Sequence, residues 1–239
     1  MALLGAWKEA VVATDFDKVI VPKRTYSIGL TDLNGLCNGG MELQVQETLV
    51  APSLRFDFIT NSVVQDVTLL DSNNFHVNVL GGKNFTFEHF TITAPRHNIN
   101  TDGIHIEHSN KINIINSNII IGDDCIFIGG GSEQIRIINV QCGHGHRISM
   151  GSLGKTTDEF TKLALHGGIA SNMHFEDIMM KNVSNPILID QVYYPWNQCN
   201  PKLLSKVRIA NISFKNIKGS LATPIAVRLN YSSSSPCEK

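Results

Sequence analysis

Three aspartates are spaced so that they could share one reaction centre. Asp102 lies in Asn100-Thr101-Asp102-Gly103, and Asp123 and Asp124 lie in Gly122-Asp123-Asp124-Cys125. These are short polar breaks in an apolar, strand-rich stretch, with 21 residues from the first carboxylate to the second. If that spacing equals one turn of a stacked strand solenoid, the three carboxylates lie side by side on neighbouring coils. Clustered carboxylates repel, which raises some pKa values and leaves one group able to donate a proton while others activate water. Hydrolysis of a glycosidic bond uses that division of labour. A single Asp in Asp-Gly or Asn-Thr-Asp is more simply a turn residue; three at this spacing point to chemistry.

Such placement needs a repeating scaffold, and the sequence carries one. Val64-Gln65-Asp66-Val67-Thr68-Leu69, Lys83-Asn84-Phe85-Thr86-Phe87, Asn110-Lys111-Ile112-Asn113-Ile114, Glu133-Gln134-Ile135-Arg136-Ile137, Ser171-Asn172-Met173-His174-Phe175 and Ser205-Lys206-Val207-Arg208-Ile209 share a polar lead followed by apolar–polar alternation. That is the period-two pattern of half-buried strands. Val67, Phe85, Ile112, Ile135, Met173 and Val207 serve as anchors, and the widest gap between neighbours runs from Ile135 to Met173. Steps of roughly twenty-odd residues with several strands each predict an all-β parallel β-helix, with Val and Ile inward and Asn ladders at the turns. An antiparallel sandwich would need hairpin signals, which are scarce here. One domain over 1–239 is expected, opened by a short amphipathic helix and irregular or shortened around 155–170.

Composition narrows the function classes. The net charge of −1 favours neither nucleic acid nor an acidic membrane surface. No apolar run approaches the roughly 20 residues of a membrane span, and the first ten residues lack the basic start and apolar length of a signal peptide. The chain has five cysteines; Cys125 and Cys142 flank one expected coil and are candidates for a disulfide, while Cys37, Cys199 and Cys237 have no obvious mates. Asn84, Asn182, Asn211 and Asn230 head glycosylation acceptor triplets, a weak pointer to a secreted lineage. His144-Gly145-His146 could suggest metal, but no third ligand at zinc-like spacing follows, so no metal is expected.

Asn100-Thr101-Asp102, Gly122-Asp123-Asp124 and Cys142-Gly143-His144-Gly145-His146-Arg147-Ile148-Ser149-Met150-Gly151-Ser152-Leu153-Gly154, taken in order, resemble the plant polygalacturonases, pectin-cleaving glycoside hydrolases. Asn182-Val183-Ser184-Asn185-Pro186-Ile187 and Ile189-Asp190-Gln191 agree as well, and the wording around Glu133–Ile137 is most like the exo-acting pollen members. The resemblance implies a right-handed parallel β-helix that hydrolyses α-1,4-galacturonosyl links with inversion, needs no cofactor, acts as a monomer and is secreted to the cell wall. It implies Asp123 as general acid, Asp102 and Asp124 as water-activating bases, and His146 as the tuning histidine. It further implies substrate contacts from Asn100 and Tyr193.

The chain also departs from that pattern. The family reads Cys-Gly-Pro-Gly-His-Gly-Ile-Ser, so His144 stands for a proline and Arg147 for a glycine. Arg147 either fills the room a glycine leaves or pairs with a galacturonate carboxylate. The family's Arg-Ile-Lys motif has no counterpart between Gly154 and Asn172, as though about one coil were absent. Compared with that pattern, a Gly-rich coil is expected to be absent before Arg55, and the family places a further segment ahead of the first helix. These departures motivate a rival, a catalytically impaired remnant that binds pectin or is merely structural or antigenic. A pectate lyase on the same solenoid is a weaker rival, because it would want calcium ligands and an arginine base.

Overall fold

The computed structural model describes residues 2–46, 48–50, 53–72, 75–98, 101–151, 169–191 and 207–233. Helix α1 (Ala2–Val12) leads into eight successive coils of strand. The first coil holds β1 (Asp17–Val21), β2 (Tyr26–Ser27) and β3 (Thr31–Asn34). The second holds β4 (Met41–Val45), β5 (Thr48–Val50) and β6 (Leu54–Asp57), and the third β7 (Thr60–Gln65), β8 (Thr68–Leu70) and β9 (Val77–Leu80). The fourth holds β10 (Lys83–Glu88), β11 (Thr91–Thr93) and β12 (Ile104–Glu107). The next three merge their first two arms into one long strand: β13 (Asn110–Ile120) with β14 (Ile126–Ile128), β15 (Arg136–Gly143) with β16 (Ile148–Met150), and β17 (Ile169–Val183) with β18 (Ile187–Asp190). The last holds β19 (Arg208–Lys215), β20 (Lys218–Leu221) and β21 (Val227–Asn230).

Every described strand pairing is parallel, which removes the sandwich alternative. The first two arms of each coil stack into one 13-stranded sheet, here sheet A, and the third arms into an 8-stranded sheet, sheet B. The architecture is a right-handed parallel β-helix. Alternation puts Leu43, Val64, Phe87, Ile114, Ile137 and Phe175 in one inward column of sheet A, and Leu33, Phe56, Val79, Ile106, Ile128, Met150 and Ile189 in one of sheet B, all buried. Burying each such side chain is worth about 1.5–3 kcal/mol. Helix α1 covers the first coil: Trp7 packs 6.1 Å from Phe56, and its indole N–H donates to the Asn34 carbonyl.

Asn and Asp are frequent because the corners use left-handed backbone. Asp66, His89, Asn116, Asn139, Asp177 and Asn216 occupy one corner column, Asn61, Asn84, Lys111, Gln134, Asn172 and Asn211 another, all with φ between 51° and 60°. Asn and Asp tolerate that region best among residues with a side chain. Their amides then bond along the column, Asn139 to Asn116 at 2.8 Å, Asn84 to Asn61 at 2.9 Å and Asn211 to Asn172 at 2.6 Å.

The register corrects two of the six sequence anchors. Phe85, Ile112, Ile135 and Met173 do fall in one column, but their partners on the outer coils are Ser62 and Ile212. Val67 lies beyond the corner at Asp66, and Val207 lies before the corner at Asn211. The long step from Ile135 to Met173 is real: Arg136 pairs with His174, so β17 stacks directly on β15 with no coil between them. The segment 155–168 lies outside the described residues, as do Cys199 and Cys237; Cys37 is a buried free thiol.

Candidate active site

Strands β12, β14 and β16 pair in register from Ile104 to Ile126 to Ile148. The residue two places ahead of each strand therefore occupies one position on three successive coils. Those residues are Asp102, Asp124 and His146. Asp123 lies one place earlier, beside this column, in the row of Thr101 and Gly145. Two glycines permit the close stacking: a Cβ on Gly103 would lie 2.4 Å from the Cys125 carbonyl, and one on Gly145 2.2 Å from the Asp123 carbonyl. Backbone bonds tie the turns together, Gly103 N–H to Asp124, His146 N–H to Asp123 and Cys125 N–H to Arg147. Cys125 and Cys142 are joined as a disulfide, anchoring the residue after Asp124 to β15.

Each carboxylate has its own basic partner. His105 Nδ1 lies 3.3 Å from Asp102 Oδ2, His146 Nδ1 2.7 Å from Asp123 Oδ1, and Arg147 Nε 3.1 Å from Asp124 Oδ1. His146 Nδ1 is also 3.9 Å from Asp124 Oδ1, so the second and third pairs touch. Asp102 is held from below as well. The coil beneath contributes fully buried His76, whose backbone N–H and ring Nδ1 both reach the Asp102 carbonyl, at 2.9 and 3.2 Å.

Burial and neighbouring charge act on Asp124 and on three histidines around it. Burial pushes the Asp124 carboxyl up to about 6; the neighbouring charges of Asp102 and Asp123 add to the rise, while Arg147 and the Ser149 hydroxyl offset part of it. The hydrogen bond that His146 donates to Asp123 raises the imidazole, with burial opposing and both nearby carboxylates assisting. For His105 burial works downward, but bonds to Asp102 and Glu107 win and the net direction is up. Burial lowers His76, which fits a neutral ring accepting the Ser72 N–H through Nε2.

The structure thus gathers Asp102, Asp123, Asp124, His146 and Arg147 at one place on the outer side of sheet B. His144 is exposed, bonds Lys181 through its backbone, and takes no part. Asn100, Tyr193 and the Arg-Ile-Lys gap lie outside the described residues. Ligand atoms of Asp123, Asp124 and His146 sit within 4.8 Å of one another, close enough to gather about one cation, yet each is already engaged with a protein partner. Sequence reasoning missed His76, His105 and Glu107. The alternation Ile104-His105-Ile106-Glu107, starting two residues after Asp102, was the available signal for the last two, since it sends both outward on one face.

Clustered carboxylates, one of them with a raised proton affinity, displayed on the outer face of a parallel β-helix, point to a glycoside hydrolase. The profile of Glycosyl hydrolases family 28 matches residues 50–166 and 161–239, and the chain belongs to that family. The chain is 40% identical to an exopolygalacturonase of Oenothera organensis, covering 99% of this chain and 86% of that protein. It is 39% identical to a polygalacturonase of Nicotiana tabacum over 99% of this chain and 78% of that one. The Oenothera match spans 311 residues against 239 here, so the relative carries further sequence inside the matched span that this chain lacks. The two matched pieces of the family profile meet at 161–166, within the stretch that has no Arg-Ile-Lys counterpart. Among solved structures, the endo-xylogalacturonan hydrolase of Aspergillus tubingensis superposes with a TM-score of 0.60 at 16% identity, covering 92% of this chain and 82% of that one. The polygalacturonase of Erwinia carotovora superposes at 0.55 and 20%, covering 88% and 73%. At these identities the likeness speaks for the fold.

Proposed function

We propose that this protein is an exo-acting polygalacturonase, which hydrolyses α-1,4-galacturonosyl links of pectin with inversion. The observation that carries the reading is the stack of Asp102, Asp124 and His146 on three successive coils with Asp123 beside it. Asp102 and Asp124 deprotonate the attacking water, and Asp123 protonates the leaving oxygen. The Asp123–His146 contact of 2.7 Å gives the acid its proton source, because one proton shift along it turns imidazolium and carboxylate into imidazole and carboxylic acid. Arg147 commits Nε to Asp124 and keeps its Nη donors for the uronate carboxylate, with Asn100 and Tyr193 as further substrate contacts. The reaction is acid–base chemistry throughout and calls on no cofactor. The chain works as a single-domain, glycosylated monomer in the cell wall.

A specific observation favours a second assignment of the acid. The carboxyl raised to about 6 belongs to Asp124, which suits a proton donor in mildly acidic solution. The two assignments separate on leaving-group dependence. Reducing-end release from polygalacturonic acid should fall in both Asp123→Asn and Asp124→Asn. On an aryl galacturonide with a good leaving group, only the variant lacking the acid recovers, because that substrate needs no protonation. Recovery in Asp123→Asn supports the first assignment, and recovery in Asp124→Asn supports the second. Unchanged release from polygalacturonic acid in both would overturn the hydrolase reading of this site.

A further inference from the structure

His105 is nearly inaccessible, with 5% of its side chain exposed, yet both ring nitrogens meet carboxylate oxygens. Nδ1 lies 3.3 Å from Asp102 Oδ2 and Nε2 3.1 Å from Glu107 Oε1. An ionised carboxylate only accepts hydrogen bonds, so a ring facing one on each side must donate from both nitrogens, which a neutral imidazole cannot do. The ring is also gripped face to face. Phe75 stacks on it at 4.5 Å and 29°, and Phe127 at 4.4 Å and 28°. Aromatic faces attract a cation and forbid the ring to turn. The registered neighbours on the adjoining coils are Asn78 and Phe127, both uncharged, and Arg55 one coil lower is paired with Asp57. Among the described residues, the titratable groups facing the ring are therefore Asp102 and Glu107.

We infer that His105 is the positioning residue of Asp102, an imidazolium locked between two aromatic rings, and that Glu107 takes part in the site by holding it. This rests on the hydrolase reading above and adds to it a fourth carboxylate. The arrangement fixes which Asp102 oxygen stays turned towards the reacting water. It also supplies a positive charge that offsets the repulsion between Asp102 and the stacked Asp124. Displacing a reacting group by about 1 Å costs on the order of 10²-fold in rate, which sets the size of the expected effect.

Four replacements in the full chain separate positioning from packing. His105→Phe keeps a ring between Phe75 and Phe127 but loses both hydrogen bonds; its kcat per folded molecule should fall about 10–100-fold with KM little changed. His105→Asn restores a donor near the Nδ1 position and should recover most of that loss, whereas His105→Gln, whose donor reaches towards Glu107, should not. Glu107→Gln should move the loss of activity on the alkaline side to lower pH. Nitrogen-15 spectra of the imidazoles, assigned by difference against His105→Asn, should show both His105 nitrogens protonated at pH 6. Wild-type kcat and pH profile in His105→Phe, or a neutral tautomer in those spectra, would overturn the inference. If His105→Phe does not fold, the spectra of the unaltered chain decide. If the unaltered chain releases no sugar, the hydrolase reading fails, and the spectra still test the His105 clamp on their own.

Discussion

Along β10, β13 and β15 several outward side chains are neutral amides and hydroxyls that bond from coil to coil: Asn113 with Thr86 at 3.1 Å, Gln141 with Asn118 at 2.7 Å. Around β12, β14 and β16 the outward side chains are carboxylates, imidazoles and an aromatic ring, with Asp124 shifted to about 6. The two sheets share the same inward rows of Ile, Val and Phe, so the core does not distinguish them. The difference lies in what the outer positions cost. A neutral ladder gains modest hydrogen-bond energy at every pH, whereas the sheet B cluster holds charge against charge and must balance it with His105, His146 and Arg147. A parallel β-helix tolerates this because each coil is supported mainly by its neighbours' inward side chains.

The sharpest way to break the contrast is to remove charge from sheet B. Asp123→Asn should lower the rate on polygalacturonic acid about 10²–10⁴-fold while the thermal midpoint stays close to that of the unaltered chain; a rate within twofold would mean that Asp123 is ordinary surface. Removing core instead should reverse the outcome. Ile137→Ala, buried in sheet A, should cost about 2–5 kcal/mol in denaturant unfolding yet leave kcat per folded molecule near its original value.

Acidity provides a gentler test. Asp124 binds its proton more tightly folded, at about 6, than unfolded, near 3.8. Between those values the unfolded chain releases the proton first, so this group's contribution to stability falls as pH rises. His105 and His146 are raised too, so their contributions are full in acid and are lost as pH climbs through their folded values. Melting curves from pH 4 to 6 should show a decline that Asp124→Asn flattens; an equal slope in that variant would assign the decline elsewhere. The smallest effect belongs to sheet A: Gln141→Ala should cost about 0.5–1.5 kcal/mol with no change in the pH profile, and any such change would blur the distinction between the faces.

Much of this was legible in the residues. Ile112, Ile114, Ile135 and Ile137 alternate with polar partners and stack as that alternation requires. The three aspartates and His146 share one place because two equal steps along the chain separate Ile104, Ile126 and Ile148. What alternation could not supply was phase across a corner. A left-handed residue such as Asp66 or Asn211 resets which side faces inward, so Val67 and Val207 looked like column partners and are not. His76 was illegible for a related reason: its contact with Asp102 depends on a longer coil step, the one that brings Ile104 of β12 onto Val77 of β9. His105 and Glu107 were readable on the outer face of β12, but their pairing with each other and with Asp102 is a matter of side-chain geometry.

The Cys125–Cys142 bridge links the carboxylate turn to redox chemistry. It closes a separation of 17 residues between the turn that bears Asp124 and the strand of the following coil. A link over a loop of that size is worth about 3 kcal/mol, and such links persist in oxidising compartments and not in the cytosol. With the thiols reduced, the Asp124 turn keeps its backbone bonds to the neighbouring coils and loses this covalent tether. The same covalent bond that stiffens two coils therefore makes the rigidity of the carboxylate turn depend on the redox state around it.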